Sequence, residues 1–253
     1  MFKLRHGFLG AQQLLVAVVG VGGTGSEIVS LLINLHLGLI ARGYGGLHVV
    51  AFDPDTVSPS NIVRQRYSPA DIGLPKARVL ISRVNLCYGL DWEAIDKKFS
   101  SAYAKHGWDL VISCVDTRRA RAELHRYAFR ERFGVWQFWL DLGNDRTTGQ
   151  AILGTPRGAE RKLLHSLPCA TELHPELMDT SIPEDAPSCS AAESLNRQDL
   201  MVNKAVAMFG IDLLWRLFRD GKITSHACYF DLATSSLSGR PVPVKAKRRR
   251  TAA

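Results

Sequence analysis

No pair of cysteines in this chain has the Cys-x-x-Cys spacing, and its five cysteines, Cys87, Cys114, Cys169, Cys189 and Cys228, are odd in number and widely spread. That excludes a disulfide-stapled secreted scaffold and a four-thiolate zinc site. His165, Cys169 and His174 are too loosely spaced to replace it, so zinc is not expected. No signal peptide is recognisable, and the expected compartment is a reducing cytoplasm. Apolar runs that would cross a bilayer are missing too. Ile28 to Ile40 is too short, and Met201 to Phe218 is interrupted by Lys204, Asp212 and Arg216. No internal repeat is present, which excludes a solenoid or propeller.

What is there is a chain of 253 residues, 46% apolar and 22% charged, long enough to bury a full core. The formal net charge is +8, but Lys245, Lys247, Arg248, Arg249 and Arg250 supply five of those charges, leaving +3 for the rest. The expected organisation is one domain over residues 1–240 and a flexible basic tail over 241–253. Such a tail can make weak contact with nucleic acid, and more often only solubilises.

The densest signal lies between Val16 and Lys76. An apolar run breaks into Gly20-Val21-Gly22-Gly23-Thr24-Gly25 and then turns helical. A strand would there deliver backbone N–H groups to a helix N-terminus, where partial positive charge favours phosphate. Downstream lie Asp53-Pro54-Asp55, then Ser60-Asn61-Ile62-Val63-Arg64-Gln65, then Lys76. Hydride transfer to a nicotinamide has no use for Arg64 and Lys76. They suit a triphosphate whose charge is neutralised while its α phosphorus is attacked.

Periodicity predicts strands over Leu14 to Gly20, Leu47 to Asp53, Trp92 to Phe99 and Asp109 to Val115, with helices over Ser26 to Ile40 and Lys76 to Tyr88. Alternation of strand and helix implies a mostly parallel, Rossmann-like α/β sheet. A helix over Thr117 to Phe133 follows, then strands Val135 to Leu142 and Gly149 to Gly154, the second an antiparallel addition. Residues 155–188 form a long loop or lid. A long helix over Ala191 to Arg219 and a late strand over His226 to Ser236 complete the domain.

Each candidate has a plainer alternative. Glycines Gly20, Gly22, Gly23 and Gly25 occur in any dinucleotide fold, and Asp53, at a strand end suited to ribose hydroxyls, could be a turn residue. Asn61, Arg64 and Gln65 could be ordinary loop, and Lys76 an ordinary helix-start lysine. Their company between two predicted parallel strands is what argues for a site. Asp116 follows the run Leu110 to Val115 and so stands at a strand's carboxyl end, where a carboxylate can hold Mg2+ on phosphates.

Gly20 to Ser26, Asp53 to Gln65, Asp71-Ile72-Gly73-Leu74-Pro75-Lys76 and Cys114-Val115-Asp116-Thr117 together resemble the ordered signature of the ThiF/MoeB superfamily, which includes the ubiquitin-activating enzymes. The C-terminal stretch Ala186 to Glu193, with Gln198 to Asn203 and Leu213 to Phe218, resembles more narrowly the ThiF-family proteins of the PRTRC cassette. The resemblance implies ATP-dependent adenylation of the C-terminal carboxylate of a small ubiquitin-like β-grasp protein, with possible transfer to a cysteine. It further implies that Gly20, Gly22, Gly23 and Gly25 pack on the nucleotide and Asp53 binds ribose. Asn61, Arg64 and Lys76 would orient the phosphates, with Asp55 and Gln65 beside them, and Asp116 would hold Mg2+.

Cys189, expected just before the long helix, is the candidate acceptor thiol, since a helix N-terminus lowers a thiol pKa; its alternative is a small buried residue at that helix start. Bacterial relatives complete a homodimer's site with an N-terminal arginine. Here only Lys3 and Arg5 precede the first strand. The competing readings are a ThiF-like enzyme adenylating a tRNA nucleoside carboxylate, a nucleotide-binding subunit without turnover, and a dinucleotide oxidoreductase.

Overall fold

The computed structural model describes residues 1–129, 136–156, 166–181 and 198–243. Its centre is an eight-stranded sheet. Strands β2 (Leu14–Val19), β3 (Leu47–Phe52), β4 (Glu93–Ile95), β5 (Leu110–Ser113) and β6 (Phe138–Asn144) run parallel. To these β7 (Thr148–Gly154), β9 (Ser225–Asp231) and β10 (Ser236–Pro241) add antiparallel, giving the order β10-β9-β7-β6-β5-β2-β3-β4. The two shortest strands, β1 (Phe2–Lys3) and β8 (Lys222–Ile223), form a separate antiparallel ribbon. The chain's own C-terminal half therefore holds Lys3, and Phe2 beside it is fully buried.

Both faces of the parallel part are covered, which is why its strands read as unbroken apolar runs. Val16, Val18, Val49, Ala51, Leu110 and Ile112 face one core, with helices α1 (Gly23–Ala41) and α2 (Lys76–Tyr88). The short α3 (Ser101–Ala104) and α4 (Arg118–Phe129) cover the other face, where Ala17, Val19, Val50, Phe52 and Val111 meet Trp108, Trp136 and Trp139. In residues 166–181 there is a four-residue helix α5 (Ala170–Leu173) and a 3-10 turn (Pro175–Met178), with Leu167 and Cys169 buried. Helix α6 (Val202–Asp220) lies on the first core and packs along α1.

By length and composition α1 could cross a membrane. Ile28, Val29, Leu32, Leu35 and Leu39 are instead buried under the sheet and α6, as expected of a core helix. From β2 the chain moves outward through β3 to β4, then returns to β5 on the other side of β2. The loops after β2 and β5 thus part company, leaving a crevice at the carboxyl ends of the strands where open α/β sheets take their ligands.

Candidate functional site

Four glycines at the end of β2 serve different purposes. Gly20 has φ +86°, and a Cβ there would lie 3.0 Å from the Cys114 carbonyl oxygen; one on Gly25 would lie 1.9 Å from the Gly20 carbonyl oxygen. These two let the loop fold against β5 and let α1 begin inside the glycine run, three residues before the predicted Ser26. Gly23 is confined by the Asn203 side chain of α6, which would lie 2.7 Å from a Cβ there. Gly22 alone has open space around it, and as the N-cap of α1 it supplies no side chain to the helix's first N–H groups. An anion can approach them from that side.

Asp53 fixes this loop from β3. Its Oδ2 accepts the Val21 N–H (2.7 Å) and its Oδ1 the Asp55 N–H (2.9 Å), and the side chain is nearly buried. Burial raises its pKa above the usual aspartate value, opposed by those two N–H donors and by Lys76. Asp53 is therefore a structural latch as well as a carboxylate at the crevice. Lys76 is pinned at the start of α2: its N–H donates to the Asp55 carbonyl (2.9 Å), and Nζ lies 3.2 Å from the exposed Asp55 carboxylate. Tyr67 joins the pieces, its hydroxyl donating to the Val21 carbonyl at 2.6 Å.

The segment between them is held by its own caps. Asn61 Oδ1 accepts the Ser58 N–H (2.9 Å), closing a capping box on the 3-10 turn Pro59–Asn61. Arg66 donates from Nε and Nη2 to Glu27 Oε2, both at 2.8 Å, tying the segment to the N-terminal part of α1. Gln65 Oε1 is buried without a partner among the described residues. Arg64 donates from Nη1 to Gln198 Oε1, just before α6, and burial pushes its pKa below the usual arginine value. Beyond Gln198 come Asn203 Nδ2 (3.4 Å) and Asn203 Oδ1, which lies 3.1 Å from Thr24 Oγ1; Asn144 Oδ1 is equally close to that hydroxyl.

Asp116 stands past the end of β5, exposed and with no hydrogen bond or ion pair among the described residues. Beneath it is a buried polar group. Arg121 Nε meets Asp141 Oδ2 at 3.0 Å, Ser113 Oγ donates to the same oxygen (2.7 Å), and Arg121 Nη2 donates to the Val115 carbonyl (3.0 Å). The loop bearing Asp116 is thereby fastened from below. Among the described residues no group of three or more His, Cys, Asp or Glu is placed to hold a metal. A hard cation here would take Asp116 plus phosphate oxygens and water, an ordinary donor set for Mg2+.

The glycine loop, Asp53, Asp55, Asn61, Arg64, Gln65, Lys76 and Asp116 thus belong to segments that meet at one crevice. Cys189 lies outside the described residues. One premise of its assignment is corrected: residues 198–201 are not helical, and the long helix starts at Val202 rather than Ala191. Val202 N–H reaches the Asp199 carbonyl just ahead of that helix. Thr24, Asn144, Gln198, Asn203, Arg121 and Asp141 were not apparent from the sequence as site residues. Asp141, alone polar within Phe138 to Leu142, is the one whose setting signals it; the others stand in stretches that are already polar or glycine-rich, or beside another polar residue.

A family model described as "ThiF family" matches residues 7–196. Among curated proteins, the adenylyltransferase and sulfurtransferase UBA4 of Yarrowia lipolytica is 27% identical over 135 residues, covering 46% of this chain and 32% of the relative. Ubiquitin-like modifier-activating enzyme 5 of Caenorhabditis elegans is 27% identical, covering 51% and 31%. The tRNA threonylcarbamoyladenosine dehydratase of Haemophilus influenzae is 29% identical, covering 49% and 46%. The matches thus span about a third to a half of these relatives. Among solved structures, E. coli MccB with ATP superposes with a TM-score of 0.63 at 14% identity, covering 92% of this chain and 64% of that one. TcdA (CsdL) gives 0.53 at 18% identity, covering 82% and 86%. At such identities these structures speak for the fold.

Proposed function

We propose, from the premise that this chain belongs to the ThiF family, that it binds ATP in the crevice above β2, β3 and β5 and adenylates the C-terminal carboxylate of a small ubiquitin-like β-grasp protein. The observation that carries the reading is the open flank at Gly22: an uncapped helix N-terminus faced by two segments that supply Arg64 and Lys76. An anion of high charge is the ligand such a place suits.

In the reaction a carboxylate oxygen bonds to the α phosphorus, the bond from that phosphorus to the bridging oxygen breaks, and pyrophosphate leaves with the electron pair. No general base is needed, because the nucleophile is already ionised at neutral pH. The obstacle is repulsion between two anions, so alignment and local positive charge lower the barrier. The first N–H groups of α1 would hold phosphate, while Arg64 and Lys76 neutralise it. Lys76 would exchange the exposed Asp55 carboxylate for a phosphate oxygen. Asn61 has its oxygen committed to the turn, which points its Nδ2 donors elsewhere for use on the nucleotide, and Asp53 would hold ribose while latching Val21. Mg2+, when bound by Asp116 and phosphate oxygens, supplies further neutralisation of the triphosphate.

ATP:pyrophosphate exchange with purified protein and a β-grasp partner tests this directly. Exchange that disappears when the partner loses its last glycine supports it; ATP binding without exchange, with any such partner, removes it. Onward transfer to Cys189 is a separate step, for which Cys189→Ser would keep exchange and lose a thiol-labile adduct. A second reading rests on the similarity to the Haemophilus dehydratase: a tRNA nucleoside carboxylate as the group adenylated. Exchange that depends on tRNA and not on protein would favour it.

A further inference from the structure

The contacts around Arg64 have a fixed direction. A guanidinium only donates, so Gln198 must turn its Oε1 toward Arg64. The same oxygen faces Asn203 Nδ2, which sets Asn203 Oδ1 toward Thr24 Oγ1 at 3.1 Å. A hydroxyl has one proton, which Thr24 shares between Asn203 Oδ1 and Asn144 Oδ1, both 3.1 Å away, while Asn144 Nδ2 donates to the Asp145 carbonyl at 3.3 Å. A chain of hydrogen bonds therefore links Thr24, in the first turn of α1, to Arg64 through the 98% buried Asn203 and through Gln198, whose Oε1 accepts from both Asn203 and Arg64. Asn203 also occupies the space a Cβ at Gly23 would take.

We infer that Asn203 and Gln198 are positioning residues for the nucleotide's phosphates, setting the Arg64 guanidinium at a fixed place relative to the N–H groups of α1. This rests on the reading of that helix end as the phosphate site. An unsupported arginine side chain must be ordered when the ligand arrives, and a fixed one has been ordered during folding. Adenosine has no phosphate, so its binding does not use this arrangement.

The test compares ATP with adenosine by calorimetric titration of the full chain. In Gln198→Met, a substitution at a half-buried position that removes the acceptor, ATP affinity falls about tenfold while adenosine affinity is unchanged. Asn203→Ala does the same, and Thr24→Val follows it, whereas Thr24→Ser, which keeps the hydroxyl, restores wild-type affinity. In the double variant Arg64→Ala/Gln198→Met the loss equals that of Arg64→Ala alone, because the two residues act as one. Equal losses for ATP and adenosine, or additive losses in the double variant, reduce Gln198 and Asn203 to general structure and overturn the inference. Should Arg64→Ala leave ATP affinity unchanged, the phosphate reading itself falls and takes this inference with it. A loss in Arg64→Ala with none in Gln198→Met overturns the inference alone.

Discussion

At the scale of single residues, the glycine loop separates into positions that serve the fold and one that serves a ligand. Gly25→Ala would drive a Cβ to 1.9 Å from the Gly20 carbonyl oxygen, where both partners are backbone and neither can yield. We expect it to cost about 2–3 kcal/mol or more, measured as a lowered denaturant midpoint. Gly22→Ala meets nothing within 4 Å and should cost no more than about 1 kcal/mol, a helix N-cap effect. Its methyl group nevertheless stands on the open flank, so ATP affinity should fall at least about tenfold by titration. If instead Gly22→Ala binds ATP normally, the ligand does not approach from there. Asp116 makes the complementary case on the other loop. It is exposed and unpaired among the described residues, so Asp116→Ala should leave the thermal midpoint within about 2 °C while lowering pyrophosphate exchange at least about 100-fold. Unchanged turnover in that variant would refute the metal role.

At the scale of elements, the sequence was most legible where one physical signal was strong. β2 and β3 are apolar runs ended by Gly20 and Asp53, β5 is a short apolar run ending on Ser113, and α2 begins at Lys76 and ends at Tyr88 as its pattern and the following Gly89 predict. The antiparallel β7 was legible too. The predicted strand over Trp92 to Phe99 shrinks to Glu93–Ile95, because it lies at the sheet edge and the Asn85 amide takes both backbone groups of Trp92. The late strand became two: Asp231 closes a turn by accepting the Ala233 N–H and the Thr234 hydroxyl, and Ser236–Pro241 returns as β10, an exposed edge strand with no apolar alternation to announce it. The polar chain from Thr24 to Arg64 was illegible for a related reason, since its members are distant in sequence and are joined only by the packing of α6 on α1. One buried titratable group within these elements makes a pH prediction. His226 of β9 is fully buried with Nδ1 3.0 Å from the Leu153 carbonyl oxygen, and burial foremost, with Arg240 nearby, depresses its pKa below 6.5. The unfolded chain then binds a proton the folded one refuses, so this contribution is intact above about pH 6.5 and is lost as pH falls toward the lower folded value. Denaturant titrations at pH 7.5 and 5.5 should show a loss of stability, at most about 1.4 kcal/mol per pH unit from this group, that shrinks in His226→Gln.

At the scale of the whole molecule, charge distribution separates the two substrate readings. Five of the eight net positive charges lie between Lys245 and Arg250, whereas the candidate site draws its cations from Arg64 and Lys76 in the body of the chain. A protein substrate presenting a C-terminal glycine needs only the crevice and its surroundings. An RNA substrate brings a phosphate backbone, for which clustered lysine and arginine supply affinity that falls steeply with salt. Truncation after Pro243 therefore has different consequences under the two readings. With a β-grasp substrate, pyrophosphate exchange and its dependence on the last glycine should survive truncation within about twofold, and any weak retention on polynucleotide at low salt should vanish. With a tRNA substrate that relies on the tail, truncation should weaken tRNA binding by about tenfold or more and flatten its salt dependence, while ATP affinity stays as it was. If the truncated chain still bound tRNA tightly and specifically, recognition would reside in the folded body, and the protein-substrate reading would lose its advantage. ATP titration accompanies each measurement, because it reports the nucleotide crevice separately from the second substrate.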